Sequence, residues 1–436
     1  MSTAYCSALV VGAPSSGSGK TTVVAALARA LVQQGKKVRV FKTGPDFIDP
    51  QFLSIASDTP TYQLDLWMCG EAECQHLIYQ AALEADVILI EGVMGMFDGK
   101  CSSADIAAKF NLPMLAVVDA GAMAQTFGAI VNGLSTFRDD VDVFGVVANR
   151  VGSERHAEML KESLKPETEF CGWLPKDMDL SLPERHLGLV QAQELDDIEE
   201  RLNHAAQLLL THGDIPLPAA QAFEKPEHAL PVRSASLSGH TIAVARDKSF
   251  AFLYQANLDL LVELGATLSF FSPLAHDDLP ECDALYLPGG YPELHIDKLA
   301  LNNALKQQII AHIEQGKPCL AECGGMLYLN KALTDLESQT ENMVGALNAK
   351  ATMQKKLAAL GILEADFNGQ MLRGHTFHYS KTDSKETVLT QPVSQYGRPT
   401  DPVWIKHSTI ASYAHWYFPC NPDLVAKIFK GQLESA

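Results

Sequence analysis

Gly12-Ala-Pro-Ser-Ser-Gly-Ser-Gly-Lys-Thr-Thr22 follows a short apolar run, Ala8 to Val11, and opens a helical pattern. Glycines in that context let backbone N–H groups converge on phosphate oxygens, and the helix N-terminus adds partial positive charge. Gly17 and Gly19 shape such a cradle, Lys20 reaches the terminal phosphates, Thr22 adds a further hydroxyl, and the Thr21 hydroxyl takes Mg²⁺. The strict spacing places its first glycine where Pro14 stands, so the loop is a variant whose Gly-Lys-Thr-Thr end is intact.

Other strand ends carry carboxylates. Lys42-Thr-Gly-Pro-Asp-Phe-Ile-Asp-Pro50 offers Asp46 and Asp49 on a loop pinned by Gly44, Pro45 and Pro50, and Glu91-Gly-Val-Met-Gly-Met-Phe-Asp98 adds two more. In open parallel sheets ligands bind beyond the carboxyl ends of the strands, so Asp46, Asp49, Glu91 and Asp98 are expected near the phosphates. Hard carboxylate oxygens suit Mg²⁺ shared with a nucleotide such as ATP. Asn149, beside Arg150 after a later strand, is a candidate contact to the nucleotide base, with a turn asparagine as the alternative.

A second chemistry sits in the other half. Cys319-Leu-Ala-Glu-Cys323-Gly-Gly-Met326 sets a thiol directly after a strand and before two glycines, the layout of a nucleophile elbow. The N–H of Gly324 can face an oxyanion, and Pro288-Gly-Gly-Tyr-Pro-Glu293 offers a second donor at Gly290. A thiol needs a base, and His415, in the aromatic run Ser412-Tyr-Ala-His-Trp-Tyr-Phe418, is the candidate. His375-Thr-Phe-His378 is a weak metal-pair signal, since no carboxylate ligand stands near it.

These residues need a scaffold of alternating elements. Ala8–Val11, Val38–Phe41, Val87–Ile90, Met114–Val118 and Phe144–Ala148 read as strands separated by helical patterns, the mark of a parallel α/β sheet. Val24, Leu27, Ala28 and Leu31 fall on one helix face, and Gly35 ends that helix. Prolines 216, 218, 226 and 231 mark an interdomain linker. Beyond it Ile242–Ala245, Leu268–Phe271, Ala284–Leu287 and Cys319–Ala321 restart a second α/β domain. The expected boundaries are 1–215, a linker over 216–238, and 239–436.

The composition is compatible with this reading and excludes others. The chain of 436 residues has 34 basic against 52 acidic side chains, a net charge of −18, which opposes nucleic-acid binding. A 47% hydrophobic content and a mean hydropathy of +0.01 describe globular material with two or three domains. Nine scattered cysteines without CxxC spacing fit a reducing cytoplasm, and no run suits a signal peptide or a membrane span.

Seven motifs occur in order across nearly the whole chain: Lys42-x-Gly-Pro-Asp-Phe-Ile-Asp-Pro50, Gln63-Leu-Asp-Leu-Trp-Met68, Glu91-Gly-Val-Met-Gly-Met-Phe-Asp-Gly99, Pro183-Glu-Arg-His-Leu-Gly-Leu189, Pro288-Gly-Gly-Tyr-Pro-Glu293, Glu322-Cys-Gly-Gly-Met326 and Gly374-His-Thr-Phe-His-Tyr-Ser380. Together they resemble the cobyrinic (or hydrogenobyrinic) acid a,c-diamide synthase family of corrin biosynthesis. The resemblance implies a P-loop synthetase domain similar to dethiobiotin synthetase, followed by a class I-type glutamine amidotransferase α/β domain. It implies ATP- and glutamine-dependent amidation of the a and c acetates of a corrinoid polycarboxylate. Cys323 would then be the nucleophile and His415 its base, with Lys42, Asp46, Asp49, Glu91 and Asp98 in the synthetase site and Thr21, Asp46 and Glu91 on the metal. Pro183 to Leu189 receive no role. Many cysteine amidotransferases place a glutamate two residues after the histidine; that position is Tyr417, so a Cys/His dyad is expected and the group that orients His415 is open.

A polyanionic substrate calls for a local basic surface, for which Lys42, Arg373, His375 and Lys381 are candidates. A homodimer is the expected assembly, without nucleic-acid or membrane partners. Nickel-sirohydrochlorin a,c-diamide synthases share the motifs and differ in the acceptor. The rival from another class is a partitioning-type switch ATPase, which carries an extra lysine five residues before the Lys20 equivalent, where this chain has Ser15.

Overall fold

The computed structural model describes residues 3–177, 184–185, 188–213, 217–226 and 233–433, with backbone alone at 184–185 and 188–189. The chain forms two compact units, Met1–Leu230 and Pro231–Ala436. Most of the Pro183–Leu189 motif lies outside the described residues; what is described is a short hairpin, β8 (Glu184–Arg185) with β9 (Gly188–Leu189).

In the first unit the apolar runs become β1 (Thr3–Gly12), β2 (Val38–Thr43), β3 (Tyr62–Leu64), β4 (Val87–Glu91), β5 (Met114–Asp119), β6 (Val143–Val151) and β7 (Glu169–Pro175). They hydrogen-bond in the order β3-β2-β4-β1-β5-β6-β7, all parallel. Crossovers are α1 (Lys20–Gln33), α2 (Asp49–Ser57), α3 (Glu71–Glu84), α4 (Ser103–Phe110), α5 (Thr126–Thr136) and α6 (Glu154–Glu162), and α7 (Ile198–His212) follows β9. Val24, Leu27 and Leu31 of α1 are buried in a core shared with Leu202 and Leu209 of α7. Gly35, at φ 81°, ends the α1 turn by donating its N–H to the Val32 carbonyl at 2.9 Å. Ser102 and Asp105 form a capping box at the start of α4.

The segment read as a linker is not wholly one. β10 (Gln221–Glu224) pairs antiparallel with β1, Ala4 opposite Phe223. The first residues of β1 precede its register with β4, which begins at Ser7, so they offer an open edge. Pro218 and Pro226 flank the added strand, whose pairing stops at Gln221 where β4 takes over the edge of β1 at Ser7.

The second unit starts with β11 (Thr241–Ala245), α8 (Gln255–Glu263), β12 (Thr267–Phe271), β13 (Ala284–Leu287), α9 (Ile296–Leu301), α10 (Asn303–Glu314), β14 (Cys319–Glu322) and α11 (Gly324–Leu329). There follow β15 (Ala332–Thr334), β16 (Thr340–Asn342), β17 (Ala349–Met353), β18 (Ala359–Phe367), β19 (Gln370–His378), β20 (Ser380–Ser384), β21 (Thr387–Thr390), β22 (Val393–Ser394), β23 (Val403–Lys406), β24 (Thr409–Ser412), β25 (Ala414–Trp416) and α12 (Pro422–Phe429). The main sheet runs β12-β11-β13-β14-β24-β23-β21, with β16-β15-β17-β20 and β22-β18-β19-β25 as separate sheets. The parallel part, β12 through β24, matches the expected second α/β domain; the antiparallel additions left no strong apolar alternation in the sequence.

Candidate functional site

At the carboxyl end of the first sheet, β1 turns at Gly12 into the Gly/Ser loop and α1 begins at Lys20. Gly19 holds the left-handed conformation at φ 89°, and a Cβ there would lie 1.9 Å from Asn149 Nδ2, so the close approach requires glycine. Asn149 donates that amide to the Ser18 carbonyl at 3.0 Å. The structure thus makes Asn149, expected against a base, a brace of the loop. Lys20 donates to the carbonyls of Ser15 (3.3 Å) and Met94 (2.6 Å), and burial, with the nearby Lys42 charge, lowers its pKa.

Lys42 is the hub of the carboxylates. On β2 it lies in register with Glu91 on β4, and its Nζ stands 2.5 Å from Asp49, 2.9 Å from Glu91 and 3.6 Å from Asp46. Burial alone would lower the ammonium, but Asp49, Glu91 and Asp46 outweigh it and hold Lys42 well above the ordinary lysine value. The expectation that Lys42 is free basic surface is therefore corrected: its charge is buried and compensated. Burial and the Asp49 charge push Asp46 up to about 7, whereas Lys42 overcomes burial at Asp49 and keeps that carboxyl low.

Thr21 donates to Glu91 Oε1 at 2.7 Å, and Glu91 Oε2 is buried without a hydrogen-bond partner among the described residues. Asp46 Oδ1 accepts the N–H groups of Ile48 and Asp49 at the start of α2, while Asp49 interacts with the Thr21 hydroxyl. Asp49 rather than Asp46 thus completes the group around Thr21 and Glu91. Asp98 accepts the Gly95 N–H at 3.1 Å within its own loop and contributes to the field at Lys20. No cluster of three or more His, Cys, Asp or Glu that could hold a metal alone occurs among the described residues. Glu91 Oε2 and the Thr21 hydroxyl fit a hard cation that also takes phosphate oxygens.

In the second unit β14 delivers Cys323 at φ 40° and ψ −104°, a conformation a non-glycine residue holds at a cost of about 1–3 kcal/mol. Its N–H donates to Ser412 O at 2.7 Å, which ties the elbow to the end of β24. A Cβ on Gly324 would lie 2.9 Å from Gly290 N, so the two expected oxyanion donors are neighbours. A Cβ on Gly289 would lie 2.2 Å from His415 Cε1, so the Pro288–Glu293 loop joins the surroundings of Cys323 to the histidine. Both catalytic candidates are buried. Burial and the charge of Glu293 push the Cys323 thiol well above its usual value; burial and the neighbouring His375 and His378 hold His415 well below its own. Both directions favour the uncharged forms, thiol and imidazole.

Sequence reasoning missed Glu322. Its Oε1 accepts the Trp416 N–H at 3.0 Å and its Oε2 accepts the Tyr286 hydroxyl at 2.8 Å, so the residue before Cys323 clamps the residue after His415. His375, a basic-surface candidate by residue type alone, is 4% exposed and lowered by burial to about 3, which corrects that expectation. His378 does not join it on a metal: its Nδ1 faces Ser380 O, its Nε2 faces Asp401, and its ring stacks on Tyr413. Arg373 pairs with Glu364. All nine cysteines are free thiols, and among the described residues no helix is long and apolar enough to cross a membrane.

Comparison with known proteins agrees with this division of chemistry. Residues 9–190 match the CobQ/CobB/MinD/ParA nucleotide binding domain, and residues 241–422 match the CobB/CobQ-like glutamine amidotransferase domain. The chain is 52% identical to hydrogenobyrinate a,c-diamide synthase of Pseudomonas aeruginosa, covering 98% of each chain. It is 51% identical to the protein of the same name in Stutzerimonas stutzeri (99% and 100% covered) and 42% identical to cobyrinate a,c-diamide synthase of Herminiimonas arsenicoxydans (98% and 97% covered). With a nucleotide cradle in its first unit, a cysteine elbow in its second and full-length similarity of this order, the chain belongs to the cobyrinate/hydrogenobyrinate a,c-diamide synthase family.

Proposed function

We propose that the chain amidates the a and c acetate groups of hydrogenobyrinate, using ATP to activate each carboxylate and glutamine as the nitrogen donor. The observation that carries the reading is the presence in one chain of a phosphate cradle ringed by Lys42, Asp46, Asp49 and Glu91 and of a Cys323 elbow served by His415. The metal-free macrocycle is favoured over its cobalt form because the two relatives above 50% identity bear the hydrogenobyrinate name.

A carboxylate resists attack at neutral pH because its charge repels nucleophiles and oxide is a poor leaving group. Phosphoryl transfer from ATP gives an acyl phosphate, whose leaving group is phosphate. Lys20 and the loop N–H groups hold the transferring phosphoryl group and offset its charge. Thr21, Glu91 and Asp49, with Asp46 behind them, would hold Mg²⁺, whose contribution when bound is to neutralise phosphate charge. Lys42 meanwhile offsets part of the charge of buried Glu91 and of the half-buried Asp46 and Asp49.

In the second unit the Cys323 thiol gives its proton to His415 as its sulfur attacks the glutamine side-chain carbonyl. The N–H groups of Gly290 and Gly324 receive the developing oxyanion. The C–N bond breaks, His415 returns the proton to the departing nitrogen, and water then cleaves the thioester to glutamate. Ammonia attacks the acyl phosphate in the first unit, and a second round completes the diamide. Nine free thiols suit a reducing cytoplasm.

The test is to incubate the protein with ATP, Mg²⁺, glutamine and, separately, hydrogenobyrinate, cobyrinate or nickel-sirohydrochlorin, and to weigh the products. The expected result is a diamide from hydrogenobyrinate; conversion of nickel-sirohydrochlorin alone would move the chain to the other acceptor.

A further inference from the structure

A histidine that takes a thiol proton must hold one ring plane and one tautomer, and a carboxylate on its far nitrogen commonly imposes both. Two residues beyond His415, on the same side of the strand by the two-residue alternation of β structure, stands Tyr417. Its ring is fully buried and meets Tyr254 edge-on, centroids 5.8 Å apart at 73°. A ring stacked on His415 comes from the neighbouring strand. His375 on β19 is the antiparallel register partner of His415 on β25, and the two imidazoles stack with centroids 4.9 Å apart and planes 18° from parallel. Side chains directly opposite in such a pair are close enough to fix one another.

His375 is itself fixed. The Tyr254 hydroxyl and His375 Nδ1 are 2.9 Å apart, with Tyr254 1% and His375 4% exposed. Tyr254 caps α8, and from that helix Asn257 donates to Trp416 O at 2.7 Å and accepts the Phe418 N–H at 2.8 Å. One helix thus holds both the stacked ring and the backbone that carries His415. A leucine or phenylalanine would fill the place of His375 without needing a hydroxyl partner, so burying an imidazole there has a cost that packing alone does not explain.

We propose that His375, braced by the Tyr254 hydroxyl, is the positioning residue of the glutaminase site: its ring sets the plane of His415 and shields it from water. The inference rests on His415 being the base of Cys323. Burial lowers His375 to about 3, so the stacked ring is itself neutral near neutral pH, while its proximity is one of the causes that hold His415 low. The titratable groups facing the pair are His378 on β19, Tyr254 at the start of α8 and, just past β25, Tyr417 against Tyr254; Glu322 holds the Trp416 N–H, and Glu293 and Glu322 act on the Cys323 thiol.

The experiment uses the full-length protein and measures glutamine hydrolysis and ammonium-dependent amidation side by side for His375→Ala, His375→Phe, Tyr254→Phe and His415→Ala. His375→Ala is expected to lower the glutaminase kcat by about 10²-fold with the glutamine KM within about threefold, since a misplaced base costs chemistry rather than binding. Its acid limb in kcat/KM should move up in pH, because water then reaches His415. His375→Phe restores a ring and should recover about tenfold of that loss, and Tyr254→Phe should cost about 3–10-fold in kcat. Ammonium-dependent amidation should be unchanged in all of them. A glutaminase kcat within about threefold of the parent in His375→Ala, a loss confined to KM, or no recovery in His375→Phe would overturn the proposal. If His375→Ala fails to fold, Tyr254→Phe decides, and a parental kcat there overturns it. Full glutaminase activity in His415→Ala would instead remove the base assignment, a distinct failure.

Discussion

Gly289→Ala adds one methyl group at the most informative place in the glutaminase site. The new Cβ would lie 2.2 Å from His415 Cε1, 2.9 Å from Nδ1 and 3.3 Å from Nε2. The backbone of Gly289 is outside the left-handed region, so the methyl group and not backbone strain is the perturbation. Carbon atoms rest no closer than about 3.5 Å, so the ring must withdraw by about 1.3 Å, or the loop must yield as much. The His415 ring is buried and packed against His375 at 4.9 Å and Phe252 at 6.1 Å, which limits its room to move. A displacement of about 1 Å in a reacting constellation costs about 10²-fold in rate, and overpacking of this kind costs about 1–3 kcal/mol of stability. Glutamate release by the Gly289→Ala protein should therefore fall by about 10²-fold, while ammonium-dependent amidation in the same preparation keeps its parental rate. A folded Gly289→Ala protein whose glutaminase kcat is within about threefold of the parent would refute the placement of His415 against this loop.

Lys20→Ala should abolish amidation with glutamine and with ammonium alike, because both routes need the acyl phosphate; diamide formed at near the parental rate would show that the cradle is misassigned. Glu322 is 1% exposed, and burial pushes its carboxyl up to about 8 against the N–H of Trp416 and the hydroxyl of Tyr286. The folded state therefore binds the proton more tightly than the unfolded chain, and this group's contribution to stability falls as pH rises from its unfolded value through about 8. Glu322→Gln, whose amide can accept from Trp416 and donate to Tyr286, should flatten that fall in urea titrations at a series of pH values; an unchanged pH slope contradicts the shift. Gly133 is exposed in α5 with nothing within 4 Å of an added Cβ, so Gly133→Ala should stabilise by about 0.4–1 kcal/mol and raise the urea midpoint at constant m. A lowered midpoint would show that the helix is not open there.

What could be read in the sequence was what is local. A strand, a glycine turn and a helix start lie within twenty residues around Lys20 and again around Cys323, so residue type and spacing are enough to place both turns. The role of Lys42 was not local, because only the register of β2 with β4 sets it opposite Glu91 and makes an apparent surface cation the hub of three carboxylates. His375 and Tyr254 are 121 positions apart, and no periodicity signals that a helix cap will meet a strand partner of His415. The strands from Ala332 to Thr390, most of them paired antiparallel, hid for another reason. Patterns such as that of β18, with buried residues only at Leu363, Ala365 and Phe367, are half-exposed over most of their length, so their alternation is weak. β10 escaped because its four residues sit between prolines that read as a linker.

Cys323→Ala tests the central claim most directly, since it removes the thiol at the elbow and leaves Lys20, Lys42 and the carboxylates of the other unit in place. The protein would be given hydrogenobyrinate, ATP and Mg²⁺ with either glutamine or ammonium at mildly alkaline pH, where free NH₃ is available, and the products weighed. The account predicts diamide with ammonium and none with glutamine. Diamide formed from glutamine at the parental rate, or no product from either nitrogen source in a folded protein, would contradict it.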